Sequence, residues 1–212
     1  MLKSIAPASA ALVMLAGAAA MADTPKLHPI GELCVAYKTG GQMMEGESIQ
    51  CHRRNAYESY RIETTTIKIP GMTQTQHQTV VTIGPDIYTI NQQAGTATKT
   101  KNPMYDGMAK SEGMTPADYA RSMGMQPDGS TQEYLGIVCK VYRNPQLGEI
   151  CMTDDGILLR MKMPQMTQTA TEVRRGDAGD PAVYDLPNQV RVTEGPDLSQ
   201  GLQGLMKQYQ QR

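Results

Sequence analysis

Three stretches read together constrain this chain most: Gly136-Ile137-Val138-Cys139-Lys140-Val141-Tyr142, a loop holding Asn144-Pro145 and Gly148, and Glu149-Ile150-Cys151-Met152. Two short apolar runs joined by turn residues spell a β-hairpin. The two cysteines stand equally far from Pro145, so in antiparallel pairing they are expected to face each other. Facing residues of a non-hydrogen-bonded pair lie about 4.5 Å apart at Cα, within disulfide range. The stretch predicts a stapled hairpin, a β-rich body and an oxidising compartment, and it argues against a thiol enzyme.

The start of the chain points to the same compartment. Lys3 precedes an apolar, alanine-rich run from Ala8 to Ala20, and Ala20-Met21-Ala22 supplies a small-x-small cleavage pattern. Residues 1–22 read as a signal peptide and the expected mature chain begins at Asp23, as a soluble periplasmic protein. No later apolar run approaches the roughly 18 residues of a membrane-spanning helix, so no span is expected. Cys34, Cys51, Cys139 and Cys151 all follow the leader, and an even count in an exported chain favours disulfides. Four cysteines allow three connectivities. The Gly40-Gly41 turn between the first two favours Cys34 with Cys51, leaving Cys139 with Cys151.

Composition narrows what such a body can contain. The formal net charge is −1, which gives no electrostatic footprint for nucleic acid. The chain has no Phe and no Trp but 16 Met and 10 Tyr, so Met and Tyr must fill much of the interior. Thioether side chains adapt to irregular shapes and specify a rigid core poorly, a property suited to an open sheet around a soft cavity.

Strand signals dominate the pass along the chain: Glu32 to Tyr37, Glu47 to His52, Tyr57 to Ile69, Thr75 to Ile83, Ile87 to Ile90, the stapled hairpin, Ile157 to Met163 and Thr167 to Arg174. In Ile157-Leu158-Leu159-Arg160-Met161-Lys162-Met163 the odd positions are all apolar while Arg160 and Lys162 alternate with them, which predicts a sheet with one wet face. Two segments echo each other. Ile67-Lys68-Ile69-Pro70-Gly71-Met72-Thr73-Gln74-Thr75 repeats in Met161-Lys162-Met163-Pro164-Gln165-Met166-Thr167-Gln168-Thr169, each reading as a strand, a Pro-initiated turn and a returning strand. Either the sheet is pseudo-duplicated, the segments form a pair of Met sites, or one turn solution arose twice.

One β-rich domain is expected over residues 23–195, with a helical insert at 103–125 that carries a Met/Tyr face and opens on the capping-box-like Thr115-Pro116-Ala117-Asp118. The insert either packs as core or covers a cavity. Residues 196–212 read as a C-terminal amphipathic helix or tail whose stripe of Leu198, Leu202, Leu205 and Tyr209 offers a surface for its own domain, a protein partner or a second copy.

The order of these parts resembles a known group. Tyr88-Thr89-Ile90-Asn91 and Gly95-Thr96-Ala97-Thr98 precede the insert; Leu135-Gly136-Ile137-Val138-Cys139-x-Val141-Tyr142 and Cys151-x-Thr153-x-Asp155-Gly156-x-Leu158-Leu159 follow it. The chain is similar to exported bacterial proteins related to the LolA/LppX-type lipoprotein-carrier superfamily. That resemblance implies a mainly β (α+β) fold: a curved antiparallel sheet, or half-open barrel, covered on its concave face by short helices and receiving acyl chains there.

Catalytic readings find little support. His28, His52 and His77 have no metal-ligand spacing and read as solvated, while Asp154-Asp155-Gly156 makes a better turn than an acid/base pair. The expectation is a non-catalytic carrier without a cofactor, binding an acyl chain or other apolar molecule. Met104, Met108, Met114 and Met123 of the insert, with Ile157, Leu159, Met161 and Met163 of the sheet, form the expected lining. Two alternatives are a structural or partner-binding domain and a Cu(I) site at Met161, Met163 and Met166, since thioethers are soft ligands. The copper reading ranks below the carrier because Met161 and Met163 share a predicted face with Ile157 and Leu159.

Overall fold

The computed structural model describes residues 24–69, 71–103, 105–110, 115–122 and 124–196. The expected signal peptide, the expected C-terminal stripe, and Met104, Met114 and Met123 of the expected lining lie outside the described residues. What is described is one open, curled sheet of twelve strands built from two meanders. The first comprises β1 (Leu33–Gly41), β2 (Met44–Arg53), β3 (Glu58–Ile69), β4 (Met72–Ile83), β5 (Asp86–Asn91) and β6 (Thr96–Lys101). Helices α1 (Tyr105–Lys110) and α2 (Pro116–Ser122) lead to the second, made of β7 (Gln126–Tyr134), β8 (Ile137–Asn144), β9 (Gly148–Met152), β10 (Leu158–Lys162) and β11 (Met166–Arg175). Helices α3 (Pro181–Tyr184) and α4 (Leu186–Gln189) follow, and β12 (Arg191–Glu194) pairs parallel with β6 at one edge.

The first and last strands of the two meanders join them, because β1 pairs antiparallel with β11. The long β3–β4 hairpin turns tightly at Gly71, whose φ of 81° suits a residue without a Cβ. Both staples form, Cys34 with Cys51 and Cys139 with Cys151, as expected in an oxidising compartment. Cys34 and Cys51 stand directly opposite, with Cα atoms 4.1 Å apart. The second bridge is diagonal, since Val141 is the residue that opposes Cys151 and the hairpin closes with Asn144 opposite Gly148. Its centre is therefore one residue beyond Pro145, and the bridge spans 5.4 Å between Cα atoms.

Three clusters of buried side chains hold the layers together. One side of β1–β6 carries Cys34, Cys51, Tyr60, Val81, Ile90 and Ala97, which Tyr184 of α3 covers. Neighbouring residues of β1 point the other way. Leu33, Val35 and Tyr37 join Ala170 of β11 and Cys139, Val141, Cys151, Ile157 and Leu159 in a second cluster. This is geometrically possible because β10 pairs with β11 only through Arg160, Met161 and Lys162 before the strands part. The β8–β10 strands then lie over β1 and β11, where the Tyr37 hydroxyl donates to the Leu158 carbonyl at 3.0 Å. Above them, Ala120 of α2 and Met125 pack on Tyr142, Ile150 and Met152 in the third cluster.

The helical insert forms as two short helices, and its capping box is real with Asp in place of Glu. Thr115 N–H donates to Asp118 Oδ2 at 3.0 Å and Asp118 N–H donates to Thr115 Oγ1 at 3.2 Å. The Thr115 hydroxyl, which donates to Asp118 Oδ2 at 2.6 Å, the Arg121 guanidinium and the Thr115 N–H hold the Asp118 carboxyl down at about 2. Tyr and Met do fill the interior in part: Tyr37, Tyr60, Tyr142, Tyr184, Met125 and Met152 are all buried.

Candidate functional site

Alternation along β1, β2 and β3 writes apolar rows across the sheet. Ala36 opposes Ile49, which opposes Ile62, and the next row runs Lys38, Glu47, Thr64. The first row continues the side on which Cys34, Cys51 and Tyr60 lie under α3, and Ile49 packs against that cluster. Past the helix the cover ends. There the sheet leaves an open trough of about 450 Å³, lined by Ala36, Ile49, Ile62, Lys38, Glu47 and Thr64, with Thr171 at its flank. Thr171 reaches it because β11 carries an extra residue there: Ala36 opposes Glu172 while Tyr37 opposes Ala170. Ile62 is 37% exposed, a β-branched side chain displayed on a sheet surface.

The expected lining is divided. Leu158 opposes Met152 and Met161 opposes Ile150, but Arg160 opposes Cys151, so Leu159 is an inserted residue in β10. A bulge breaks the period of two and puts residues either side of it on unexpected faces. Ile157 and Leu159 are 1% and 0% exposed among the side chains between the layers, whereas Met161 packs toward Tyr142, Ile150 and Met152. The single apolar face proposed for Ile157, Leu159, Met161 and Met163 is thus corrected to two faces. Met108 in α1 is half-buried, and no side chain of α1 is fully buried. Beneath α2, Ala117, Ala120 and Met125 lie directly on the β8–β10 side chains, so α2 and the residues that follow it act as core while α1 does not.

At the opposite end of the sheet from the β3–β4 and β10–β11 turns, the segment preceding β1 is strapped down by histidines that sequence reading takes as solvated. The His28 and His52 rings lie 4.6 Å apart. Ile30 N–H donates to His28 Nδ1 at 3.1 Å, and His52 Nε2 lies 3.0 Å from the Ile30 carbonyl oxygen. Burial lowers both pKa values, that of His52 to about 4, with the neighbouring His28 adding to the effect. Asp155, whose charge acts on His28, accepts from Arg175 Nε and Nη2 at 3.1 and 2.9 Å and from the Thr153 hydroxyl. Asp154 pairs instead with Lys140 at 2.7 Å. The two carboxylates have separate cationic partners, and the segment is a turn, as its glycine suggested. His77, on the exposed part of β4, bonds with Thr64 Oγ1 at 3.0 Å. Nothing in the spacing of His28 and His52 signals their meeting, which depends on the fold-back of residues 24–32.

No protein-family model matches the chain, and no curated protein matches it. Among solved structures, an uncharacterized conserved protein from Thermus thermophilus is similar at a TM-score of 0.49 and 10% identity, covering 78% of this chain and 91% of that one.

Proposed function

We propose that this is an exported, periplasmic, non-catalytic binding protein that holds an acyl chain or other apolar ligand, in the manner of the lipoprotein carriers it resembles. The observation that supports the reading is the uncovered row Ala36, Ile49, Ile62 across three strands. The trough it floors, at about 450 Å³, falls within the range of small-molecule sites. The ligand's place therefore moves from beneath the insert to the surface of β1–β3. An apolar tail lies along the aliphatic row, and a polar head meets Lys38 and Glu47 at its border. The open wall makes selectivity by shape low. The two staples fix β1 to β2 and β8 to β9, so the trough is set on a constrained scaffold.

A fluorescent fatty-acid probe tests the reading. The probe is expected to bind and to be displaced by long-chain lipids, and Ile62→Glu, at an exposed position, should weaken it with the circular dichroism spectrum unchanged. Absence of uptake, or uptake indifferent to Ile62→Glu, would refute the trough as the site.

A further inference from the structure

The bulge that divides the expected lining also removes the reason for ranking a metal site low. Once Leu159 is inserted, Met161 and Met163 no longer share a face with Ile157 and Leu159. They share one with Met166. Met163 N–H donates to the Met166 carbonyl at 2.8 Å and Met166 N–H to the Met163 carbonyl at 3.4 Å, so these two are a directly bonded cross-strand pair with side chains on one side. Met161, two residues before Met163, lies on that side too and opposes Gln168. The Cα spacing of such neighbours is about 5.5 Å across the pair and roughly 6.7 Å along the strand. Three flexible thioether arms of equal length on those points can converge on one atom.

The surroundings keep the arms accessible. All three methionines are half-buried rather than sealed. On one flank Met166 is opposite Gly41, and on the other Gly148 lies against Met163: a Cβ on Gly148 would come within 3.1 Å of the Met163 Cα. Both flanking strands thus place a residue without a side chain beside Met163 or Met166, while Met161 packs on Ile150 of β9 and faces Gln168 of β11. The neighbouring cations, Arg160 and Lys162, alternate with the methionines and point to the other side, where Arg160 donates to the Tyr134 hydroxyl at 2.6 Å. Thioethers are neutral, soft ligands, which select Cu(I) among the metals an exported protein meets.

We propose that Met161, Met163 and Met166 form a three-thioether site for a soft monovalent cation, Cu(I). The cation is bound and released as Cu(I), with no electron transferred. The site lies on the side of the sheet opposite the trough, since Thr39 and Gly41 alternate with Ala36 and Lys38 along β1. Its existence is therefore independent of the carrier reading.

The chain supplies its own control. In the echo hairpin, Ile67, Ile69 and Met72 stand where Met161, Met163 and Met166 stand in β10–β11, and Ile69 is paired with Met72. That hairpin presents one thioether in place of three. The experiment is a titration of the disulfide-intact protein with Cu(I) against a competing chelator. One equivalent is expected to bind, with an affinity that stays level between about pH 5.5 and 8, because no ligand must lose a proton. Met161→Ile with Met163→Ile, which makes β10–β11 like β3–β4, should weaken binding by on the order of a hundredfold, with the melting temperature and fatty-acid probe uptake as checks on folding. Ile67→Met with Ile69→Met should add a second equivalent, and this arm does not depend on perturbing the native site. A chelator that retains all the copper, or a double isoleucine variant that binds as the parent does while folded, would overturn the proposal.

Discussion

Two hairpins of nearly the same sequence have different fates in this molecule. In β3–β4, the segment from Met72 to Gln78 is exposed throughout and its Thr66 and Thr75 hydroxyls, 3.0 Å apart, bond across an open surface. In β10–β11, the same motif lies where the sheet parts into layers, with Leu159 fully buried just before it and half-buried methionines along it. The pairing around the two turns is alike; what differs is the neighbours. One hairpin continues between regular partners, β2 and β5. The other adjoins a bulge, and that single inserted residue decides which side chains become core and which face outward. Local sequence chose the turn, and tertiary context chose the faces.

The largest effect separating the two hairpins should come from matching truncations in the strands that lead into them. Leu159→Ala removes a side chain that is 0% exposed and should cost about 2–5 kcal/mol, whereas Thr65→Ala, at the corresponding place in β3, should stay within about 0.5 kcal/mol. Denaturant titration of both variants checks this, and equal losses would mean that β10 is not bulged as described.

A smaller contrast lies in the glycines. A Cβ at Gly148 would lie 2.1 Å from the Lys162 carbonyl oxygen, with φ at 111°, while Gly71 at φ 81° has nothing within 4 Å. Gly71→Ala should therefore cost only the left-handed backbone penalty of about 1–2 kcal/mol, and Gly148→Ala measurably more. Thermal melts of the two variants give the order.

The smallest effect should leave both hairpins untouched. His28 and His52 are held neutral in the folded chain, with pKa values below the usual 6.5. The unfolded chain binds protons there first, so stability is complete above about pH 6.5 and falls as the pH drops toward about 4, the folded value of His52. His52→Gln should flatten that part of the stability curve. Met163 and Met166 methyl signals should not shift over the same range, because the histidines lie at the other end of the sheet.

How much of this was legible in the sequence follows from what each signal measures. Turn residues and β-branched runs gave the strands β1 to β5 and β8 to β11 within a few residues, and the pairing of Cys34 with Cys51 followed from a turn between them, although Gly40 and Gly41 end β1 and the turn falls at Gln42 and Met43. The capping box at Thr115 was readable because it is a contact between residues three apart. Strands β7 and β12 were not read as strands, since a stretch opening Gln-Pro-Asp-Gly and a four-residue edge carry little apolar periodicity, and β6, Thr-Ala-Thr-Lys-Thr-Lys, was implied only in part by the resemblance at Gly95-Thr96-Ala97-Thr98. The Leu159 bulge was hidden because apolar residues at every odd position from Ile157 to Met163 suggest one continuous face, and Leu158, the one departure from the alternation, does not by itself reveal an insertion that the partner strand shows. For the same reason the trough escaped notice. Ala36, Ile49 and Ile62 come from three strands and meet only through register.

The central claim is that this bulge leaves Ile157 and Leu159 in one buried cluster and sets Met161, Met163 and Met166 together on the other face, half-buried, with Met161 against Ile150. Limited peroxide oxidation followed by peptide mass spectrometry reads it directly, since sulfoxide forms fastest at accessible thioethers. Met163 and Met166, half-buried, should oxidise more slowly than Met43 and Met72, which are 52% and 51% exposed, and far faster than Met125 and Met152 at 3% and 2%. Adding Ag(I), a redox-inert mimic of Cu(I), should protect Met161, Met163 and Met166 together while Met43 and Met72 keep their rates. Oxidation of the three as slow as that of Met152, or silver that protects none of them or only one, would contradict the account.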